Sequence, residues 1–349
     1  MFRRSLITAL AEKADVYLAA PFGKMVPELR SLGVELIETP MDRRSIDPIK
    51  DLKLFCTYRR LLRRIRPDLV ITYTVKPNVY GGLACRMARV PYAANITGLG
   101  TAFQKDGLLK KLVTRLYKIG LKRAKVVFFE NCENLRTFTG LGIVPEEKAC
   151  LLNGAGVDLD YFQPAEYPAG EVMRLLFVGR VMREKGVDEL LSAVGELARE
   201  GLPVHLDMVG GQDEDYGETL ARCQGEGWLT YHGYQPDVRP HIAAAHCFVL
   251  PSWHEGMANT NLECAASARP VITSRIHGCM EAVEEGVSGF LVRPRDAEDL
   301  KRALREFVAL PSDVRRAMGL AGRARMEEIF DKKQVVEKTM EKLLNINLP

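Results

Sequence analysis

Two glutamates eight residues apart are the first feature that could do chemistry. Glu255 and Glu263 lie in the run His254-Glu255-Gly256-Met257-Ala258-Asn259-Thr260-Asn261-Leu262-Glu263, directly after the apolar stretch Cys247-Phe248-Val249-Leu250-Pro251. That pattern predicts a buried strand, a Gly-containing turn, and a helix from Met257 onward. Both carboxylates then face the crevice at the carboxyl end of a strand, where open α/β sheets bind ligands. The backbone N–H groups of Met257, Ala258 and Asn259 would be the orphan donors of a helix N-terminus, suited to phosphate or to sugar hydroxyls. A carboxylate accepts two hydrogen bonds from a vicinal diol, such as a ribose or a hexose edge. The arrangement suits a sugar nucleotide. Two glutamates at this spacing are more often a solvated face, so the reading leans on a second motif.

The apolar run Leu175-Leu176-Phe177-Val178 continues into Gly179-Arg180-Val181-Met182-Arg183-Glu184-Lys185-Gly186. Gly179 permits a tight turn at the strand end. Arg180 and Lys185 would reach into the crevice from the loop that follows. Arginine forks across phosphate oxygens and lysine adds a compact charge. Together they could hold a diphosphate and stabilise the negative charge that grows on it as it leaves.

Short apolar runs alternate with helical patterns along the whole chain. Residues 16–20, 69–73, 93–96, 126–129 and 150–152 read as strands of a first α/β unit. Residues 175–178, 204–209, 229–231, 248–250, 271–272 and 289–292 read as strands of a second. Continuous apolar strands separated by helices imply parallel sheets covered on both faces. The fold class is therefore α/β, with two doubly wound, Rossmann-like domains facing a cleft. The expected division is 1–163 for an acceptor-binding domain and 164–325 for a nucleotide-sugar domain. A helix over 326–349, one long or kinked element, would pack back toward the first domain. The boundary falls in the Pro- and Gly-containing stretch 162–170.

The chain has 349 residues and 47% hydrophobic content, enough for two domains with real cores. No apolar run is long enough to span a bilayer, and no secretory signal is visible. The eight cysteines are scattered without a C-x-x-C, which suits reduced thiols rather than a disulfide frame or a zinc site. Residues 1–165 carry 27 Lys and Arg against 16 Asp and Glu, or +11; the remainder carries −7 within a total of +4. A basic half beside an acidic one points to an anionic partner. The basic residues of 105–125 alternate with apolar residues at spacings of three and four, as in an amphipathic helix resting on anionic lipid. Aromatic content of 7% and the lack of any nucleic-acid signature argue against DNA or RNA.

In these segments the sequence resembles the retaining glycosyltransferases of family 4, which have the two-domain GT-B fold. The matching stretches are Phe177-Val178-Gly179-Arg180 with Glu184-Lys185-Gly186; Val209-Gly210-Gly211; Pro251-Ser252 with Glu255-Gly256 and Leu262-Glu263-Cys264-Ala265-Ala266; Pro270-Val271-Ile272; and Glu285-Gly286 with Gly289-Phe290-Leu291-Val292. The resemblance implies that Gly179, Arg180 and Lys185 meet the donor pyrophosphate. It implies that Glu263 takes the ribose and Glu255 the transferred sugar. Backbone at His232-Gly233-Tyr234 would meet the base, and Gly256, Met257, Ala258 and Asn259 would touch sugar hydroxyls and phosphate. In the first half, Asn95-Ile96-Thr97-Gly98-Leu99-Gly100 is similar to enzymes that extend undecaprenyl-diphosphate-linked sugars, such as the bacillosaminyl-lipid N-acetylgalactosaminyltransferase type. Asn95, Thr97, Gly98 and Gly100 are thus the acceptor-side candidates. Residues 153–164 match the family's inter-domain hinge.

Three departures stand out. The family often carries a histidine in its first domain, whereas no His precedes residue 205 here. Arg269 sits where a small residue is usual. The family's opening strand and Gly-rich loop have no counterpart ahead of Phe2-Arg3-Arg4, so the first sheet is expected to contain a gap, and the gene product to begin upstream or this form to be inactive. The implied reaction moves a hexose or N-acetylhexosamine from a UDP-sugar to a polyprenyl-diphosphate-linked saccharide with retention. No metal or other cofactor is expected, and the protein should be cytoplasmic and peripheral at the inner membrane face. The alternatives are a UDP-sugar 2-epimerase-like enzyme and an inactive scaffold of a polysaccharide assembly complex.

Overall fold

A computed structural model of the chain describes residues 3–22, 29–41, 47–99, 103 and 107–346. The chain divides into two compact units, Met1–Ala155 with Lys333–Pro349, and Gly156–Lys332. The first thus ends at Ala155, ahead of the Pro- and Gly-containing stretch. Residues of that stretch are instead tied into the second unit by Arg269, whose guanidinium donates to the carbonyls of Ala165 (3.0 Å) and Glu166 (2.6 Å).

The first unit opens with α1 (Arg4–Ala11), β1 (Tyr17–Ala20) and β2 (Glu35–Glu38). It continues with α2 (Pro48–Ile65), β3 (Val70–Tyr73), α3 (Gly82–Ala88), β4 (Tyr92–Ile96), α4 (Leu108–Leu121), β5 (Val127–Phe129), α5 (Cys132–Gly140) and β6 (Ala149–Leu151). Helix α2 starts where the sequence says it should. Asp47 accepts from the N–H groups of Ile49 and Lys50, and Pro48 fills the first position, where no donor is needed. All ladders are parallel. They form a two-stranded sheet β1-β2 and a four-stranded sheet β3-β4-β5-β6 that no ladder joins among the described residues. The short strand Glu35–Glu38, half exposed, was not among the predicted ones.

The second unit contains β7 (Met173–Val178), α6 (Val187–Arg199), β8 (Val204–Val209), α7 (Gly217–Gly225), β9 (Leu229–Gly233), α8 (Arg239–Ala244) and β10 (Cys247–Leu250). It is completed by α9 (Asn259–Ala266), β11 (Val271–Ser274), β12 (Gly289–Val292), α10 (Ala297–Ala309) and α11 (Ser312–Ile329). Its six parallel strands run in the order β12-β11-β10-β7-β8-β9. The winding therefore reverses between β7 and its neighbour β10. There, loops at the carboxyl ends leave in opposite directions and open a crevice. Nearly every residue of β7, β10, β11 and β12 is buried, as a sheet covered on both faces requires.

The final helix α12 (Lys332–Leu344) is separate from α11, broken at Phe330 and Asp331, so 326–344 is not one element. The break is held by pairing across the second unit: Val157 N–H donates to the Phe330 carbonyl and Lys332 N–H to the Val157 carbonyl. Beyond it, Val335, Leu343 and Ile346 join Ala93, Val126, Phe128, Cys150 and Leu152 in one apolar cluster of the first unit. Leu343 is 3% exposed. Leu343→Ala should therefore lower stability by about 2–5 kcal/mol, the usual range for truncating a buried leucine. A drop of less than about 1 kcal/mol in chemical denaturation would show that α12 covers the sheet without packing on it.

Candidate active site

The site is built from the turns that follow four adjacent strands of the second unit. After β7, Gly179 donates its N–H to the Val209 carbonyl and the chain turns through Arg180 to Lys185. After β10 come Pro251, Ser252 and Glu255. Because β7 and β10 are neighbours, these two turns lie side by side. Gly186 has φ +72°, and a Cβ there would stand 2.1 Å from the Pro251 carbonyl oxygen, so only glycine allows the approach. Trp253 N–H donates to the Glu184 carbonyl (3.0 Å) and locks the two turns together.

The approach makes ion-pair partners of residues 70 positions apart: Lys185 Nζ binds Glu255 Oε1. Ser252 Oγ donates to the same oxygen at 2.9 Å. Both side chains of the pair are largely shielded, at 20% and 12% exposure. Arg180 is more open, at 53%, and its Nη1 meets Asp213 Oδ2 at 2.5 Å. Asp213 stands on the turn after β8, where its N–H donates to the Val181 carbonyl (3.0 Å); nearby, the Arg183 N–H donates to Glu214 Oε2 (2.8 Å). The acidic run 213–215, which reads as a solvated loop in the sequence, thus holds the Arg180 turn.

A third turn, after β11, supports Glu255 from the other side. Gly278 has φ +89°, and a Cβ there would lie 2.7 Å from the Glu255 carbonyl oxygen and 2.8 Å from that of Gly256. Glu281 fixes this turn with both oxygens: Oε2 accepts from the Gly278 N–H at 2.7 Å and Oε1 meets His277 Nδ1 at 2.9 Å. The Gly278 carbonyl accepts the N–H of Ala258 at 2.7 Å. This overturns one expectation. The Ala258 donor is taken, and α9 begins at Asn259 rather than at Met257, so Glu263 lies one turn into the helix. Asn261 Nδ2 donates to Thr273 Oγ1 (3.1 Å), whose hydroxyl donates to the Leu250 carbonyl (2.7 Å), fixing α9 against β10 and β11. Burial pushes the Glu263 carboxyl up to about 7, against the opposing pull of Lys332.

The remaining candidates are placed as follows. Gly233 ends β9, and its carbonyl accepts the Gly210 N–H (2.8 Å). Met257 and Ala258 are buried, at 7% and 4%. In the first unit, Asn95 is 1% exposed; its carbonyl accepts from Asn78 Nδ2 (2.9 Å) and its Oδ1 faces Arg3, which also pairs with Glu130. As a strand residue buried on both faces of the sheet, Asn95 is a structural partner and not an accessible acceptor contact. Thr97 and Gly98 follow β4, half exposed, and Gly100 lies outside the described residues. Asp213, Ser252, Gly278 and Glu281 are the contributions that sequence reasoning missed. A glycine three residues before a glutamate, just after an apolar strand, is the signal that could have found the Gly278 turn.

Comparison with known proteins places this geometry in context. The family model described as glycosyl transferases group 1 matches residues 173–309, and that described as glycosyl transferase 4-like matches residues 1–131. The chain is 28% identical over 322 residues to the N,N'-diacetylbacillosaminyl-diphospho-undecaprenol alpha-1,3-N-acetylgalactosaminyltransferase of Campylobacter jejuni, covering 87% of this chain and 84% of that protein. It is 27% identical over 313 residues to the UDP-Gal:alpha-D-GlcNAc-diphosphoundecaprenol alpha-1,3-galactosyltransferase of Escherichia coli, covering 84% and 80%. Among solved structures, Anabaena HepE in complex with UDP and glucose superposes with a TM-score of 0.81 at 17% identity, covering 99% of this chain and 96% of that one.

Gly278→Ala should uncouple the third turn from Glu255 while leaving the sheet intact. Affinity for a UDP-sugar is expected to fall at least tenfold by calorimetry with an unchanged far-UV spectrum. Affinity within twofold of the parent would show that the turn is not part of the site.

Proposed function

Since the chain belongs to the family 4 glycosyltransferases, enzymes of the GT-B fold, we propose that it moves a hexose or N-acetylhexosamine from a UDP-sugar to a hydroxyl of an undecaprenyl-diphosphate-linked saccharide. The product would serve in building a cell-surface glycan. The observation that carries this reading is the convergence of Lys185, Glu255 and Arg180 where the winding of the second sheet reverses. The acceptors in the names of the Campylobacter and Escherichia coli relatives support the lipid-linked acceptor.

The chemistry follows from the residues. A donor diphosphate offers Arg180 and Lys185 a more highly charged partner than Asp213 and Glu255. When Lys185 turns to phosphate, the Glu255 carboxylate is released to accept hydrogen bonds from hydroxyls of the transferred sugar, with Ser252 still orienting it. Attack by the acceptor hydroxyl on the anomeric carbon, from the face that the leaving group departs, forms the new C–O bond as the bond to the diphosphate breaks. The hydroxyl proton passes to the departing phosphate oxygen. Positioning and stabilisation of the growing diphosphate charge by the two cations supply the catalysis, and the scheme needs no metal ion. We place the acceptor side at the turn that follows β4, and the enzyme at the cytoplasmic face of the membrane, which the basic character of the first unit supports. No helix among the described residues is long and apolar enough to cross a membrane.

Two tests follow from this assignment. UDP release is measured with each of UDP-GalNAc, UDP-GlcNAc, UDP-galactose and UDP-glucose and detergent-dispersed undecaprenyl-diphosphate-sugars, with and without a chelator. One donor should give acceptor-dependent release that the chelator leaves unchanged. Arg180→Ala, Lys185→Ala and Glu255→Ala should each lose well over tenfold in turnover, and full activity in any of them removes that residue from the site. The second test is pH. Glu263 holds its proton up to about 7 and must release it to accept from a ribose diol, so UDP-sugar affinity should be constant above about 7 and fall by up to tenfold per pH unit below it. Glu263→Gln should flatten that profile; an unchanged slope would place the titrating group elsewhere.

A further inference from the structure

Away from the donor site, the first unit gathers five cations around a hollow of ≈ 460 Å³. Arg115, Lys118 and Lys122 come from α4 and its end, Arg86 from the last turn of α3, and Lys148 from the turn ahead of β6. Ile119, Ile143 and Pro145 complete the wall, and no carboxylate lines it. None of the five cations has a carboxylate partner among the described residues. The negative end of α4 accounts for Lys118 and Lys122. It does not account for Arg86 and Lys148, which other elements bring to the same place. Arg86 is held there, its Nη1 donating to the Ile119 carbonyl at 3.1 Å. Like charges brought together without counter-charge repel, so such a hollow is suited to an anion supplied from outside.

A second observation says which anion. The helix that supplies three of the cations also leaves Leu108 at 86%, Leu109 at 43% and Leu112 at 50% exposure. Leu108, Leu112, Arg115, Ile119 and Lys122 follow one another at alternating steps of four and three, which places them on one face of α4. That face runs from bare leucines at its start to the cationic hollow at its end. A helix lying in a bilayer interface has this profile, with its apolar residues among acyl chains and its cations at phosphate level.

We propose that the hollow is a binding pocket for the phosphate of an anionic phospholipid head group, entered as α4 lies in the membrane interface. The inference rests on the reading of the basic unit as membrane-facing and deepens it by naming the pocket and its occupant. It selects α4 over α2, which also carries a run of arginines together with exposed Ile49 and Leu52.

The test sediments the full chain with phosphatidylcholine vesicles, with and without phosphatidylglycerol, at about 0.15 M salt, where distant surface charges are screened. Two variants remove equal charge from exposed positions: Arg115→Gln/Lys118→Gln/Lys122→Gln in the pocket, and Lys53→Gln/Arg60→Gln/Arg63→Gln on α2. At about fivefold per cation near an anionic surface, the pocket variant should lose on the order of 100-fold in binding to phosphatidylglycerol vesicles, and the α2 variant less than about threefold. Equal losses, or an unweakened pocket variant, would overturn the pocket. Calorimetry with inorganic phosphate separates the sources: a phosphate site that stays open on vesicle-bound protein would assign the hollow to a soluble anion and overturn the lipid. UDP release is read alongside with a water-soluble acceptor glycoside. The pocket variant should match the parent there, and silence of the parent would count against the transferase reading alone, since vesicle binding is scored without it.

Discussion

The candidate site depends on a backbone approach that leaves no room for a side chain. The turn after β7 presses on the turn after β10 through Gly186, with the Pro251 carbonyl oxygen where a Cβ would have to be. The turn after β11 presses on Glu255 and Gly256 through Gly278 in the same way. Three turns from three neighbouring strands are thereby stacked at van der Waals contact. Only at that spacing can Lys185 reach Glu255 and can Ala258 give its N–H to a carbonyl outside its own helix. The polar groups of the site are arranged by glycines that carry no polar group themselves.

The stacking also sets the electrostatics before any donor arrives. Each cation that would meet the diphosphate already has a carboxylate partner, so neither is left as an isolated charge. The two pairs are not equivalent. Arg180 and Asp213 are open to water, where an ion pair contributes little and is screened by salt. Lys185 and Glu255 are shielded, with Ser252 adding a hydrogen bond, so breaking their pair without a replacement would strand a charge in a poorly solvated place. Exchange of partners is then easy at the arginine and requires an incoming anion at the lysine.

The fold was legible where burial writes itself into composition. Strands β7, β10, β11 and β12 are apolar throughout because both sheet faces are covered, and their runs stand out in the sequence. The strand Glu35–Glu38 was not, because a half-exposed strand with a glutamate at each end has no apolar run to show. Glu255, Lys185 and Arg180 were legible as crevice residues from their strand-end turns. Their pairing was not, because it follows from the adjacency of β10 and β7, and strand order is not written in local sequence. The start of α9 was misplaced for a similar reason: it is decided by the Gly278 carbonyl, twenty residues away. Arg269 was unaccountable as a charged residue in an apolar context. Buried at 1%, it spends its donors on the carbonyls of Ala165, Glu166, Ile242 and Ala243, partners that no short window of sequence contains.

The place of α12 in the first unit has a consequence for biosynthesis. The helix whose Val335, Leu343 and Ile346 close the apolar cluster over β4, β5 and β6 is translated after the whole of Gly156–Lys332. At ordinary elongation rates the ribosome takes roughly 10–35 s to cross that interval. During this time the earlier strands are outside the tunnel with Ala93, Val126 and Phe128 uncovered. The second unit, continuous in sequence, can finish folding first. The nascent first unit therefore has to be kept from self-association until the last helix emerges, which makes it the stage of synthesis at which a chaperone would matter most.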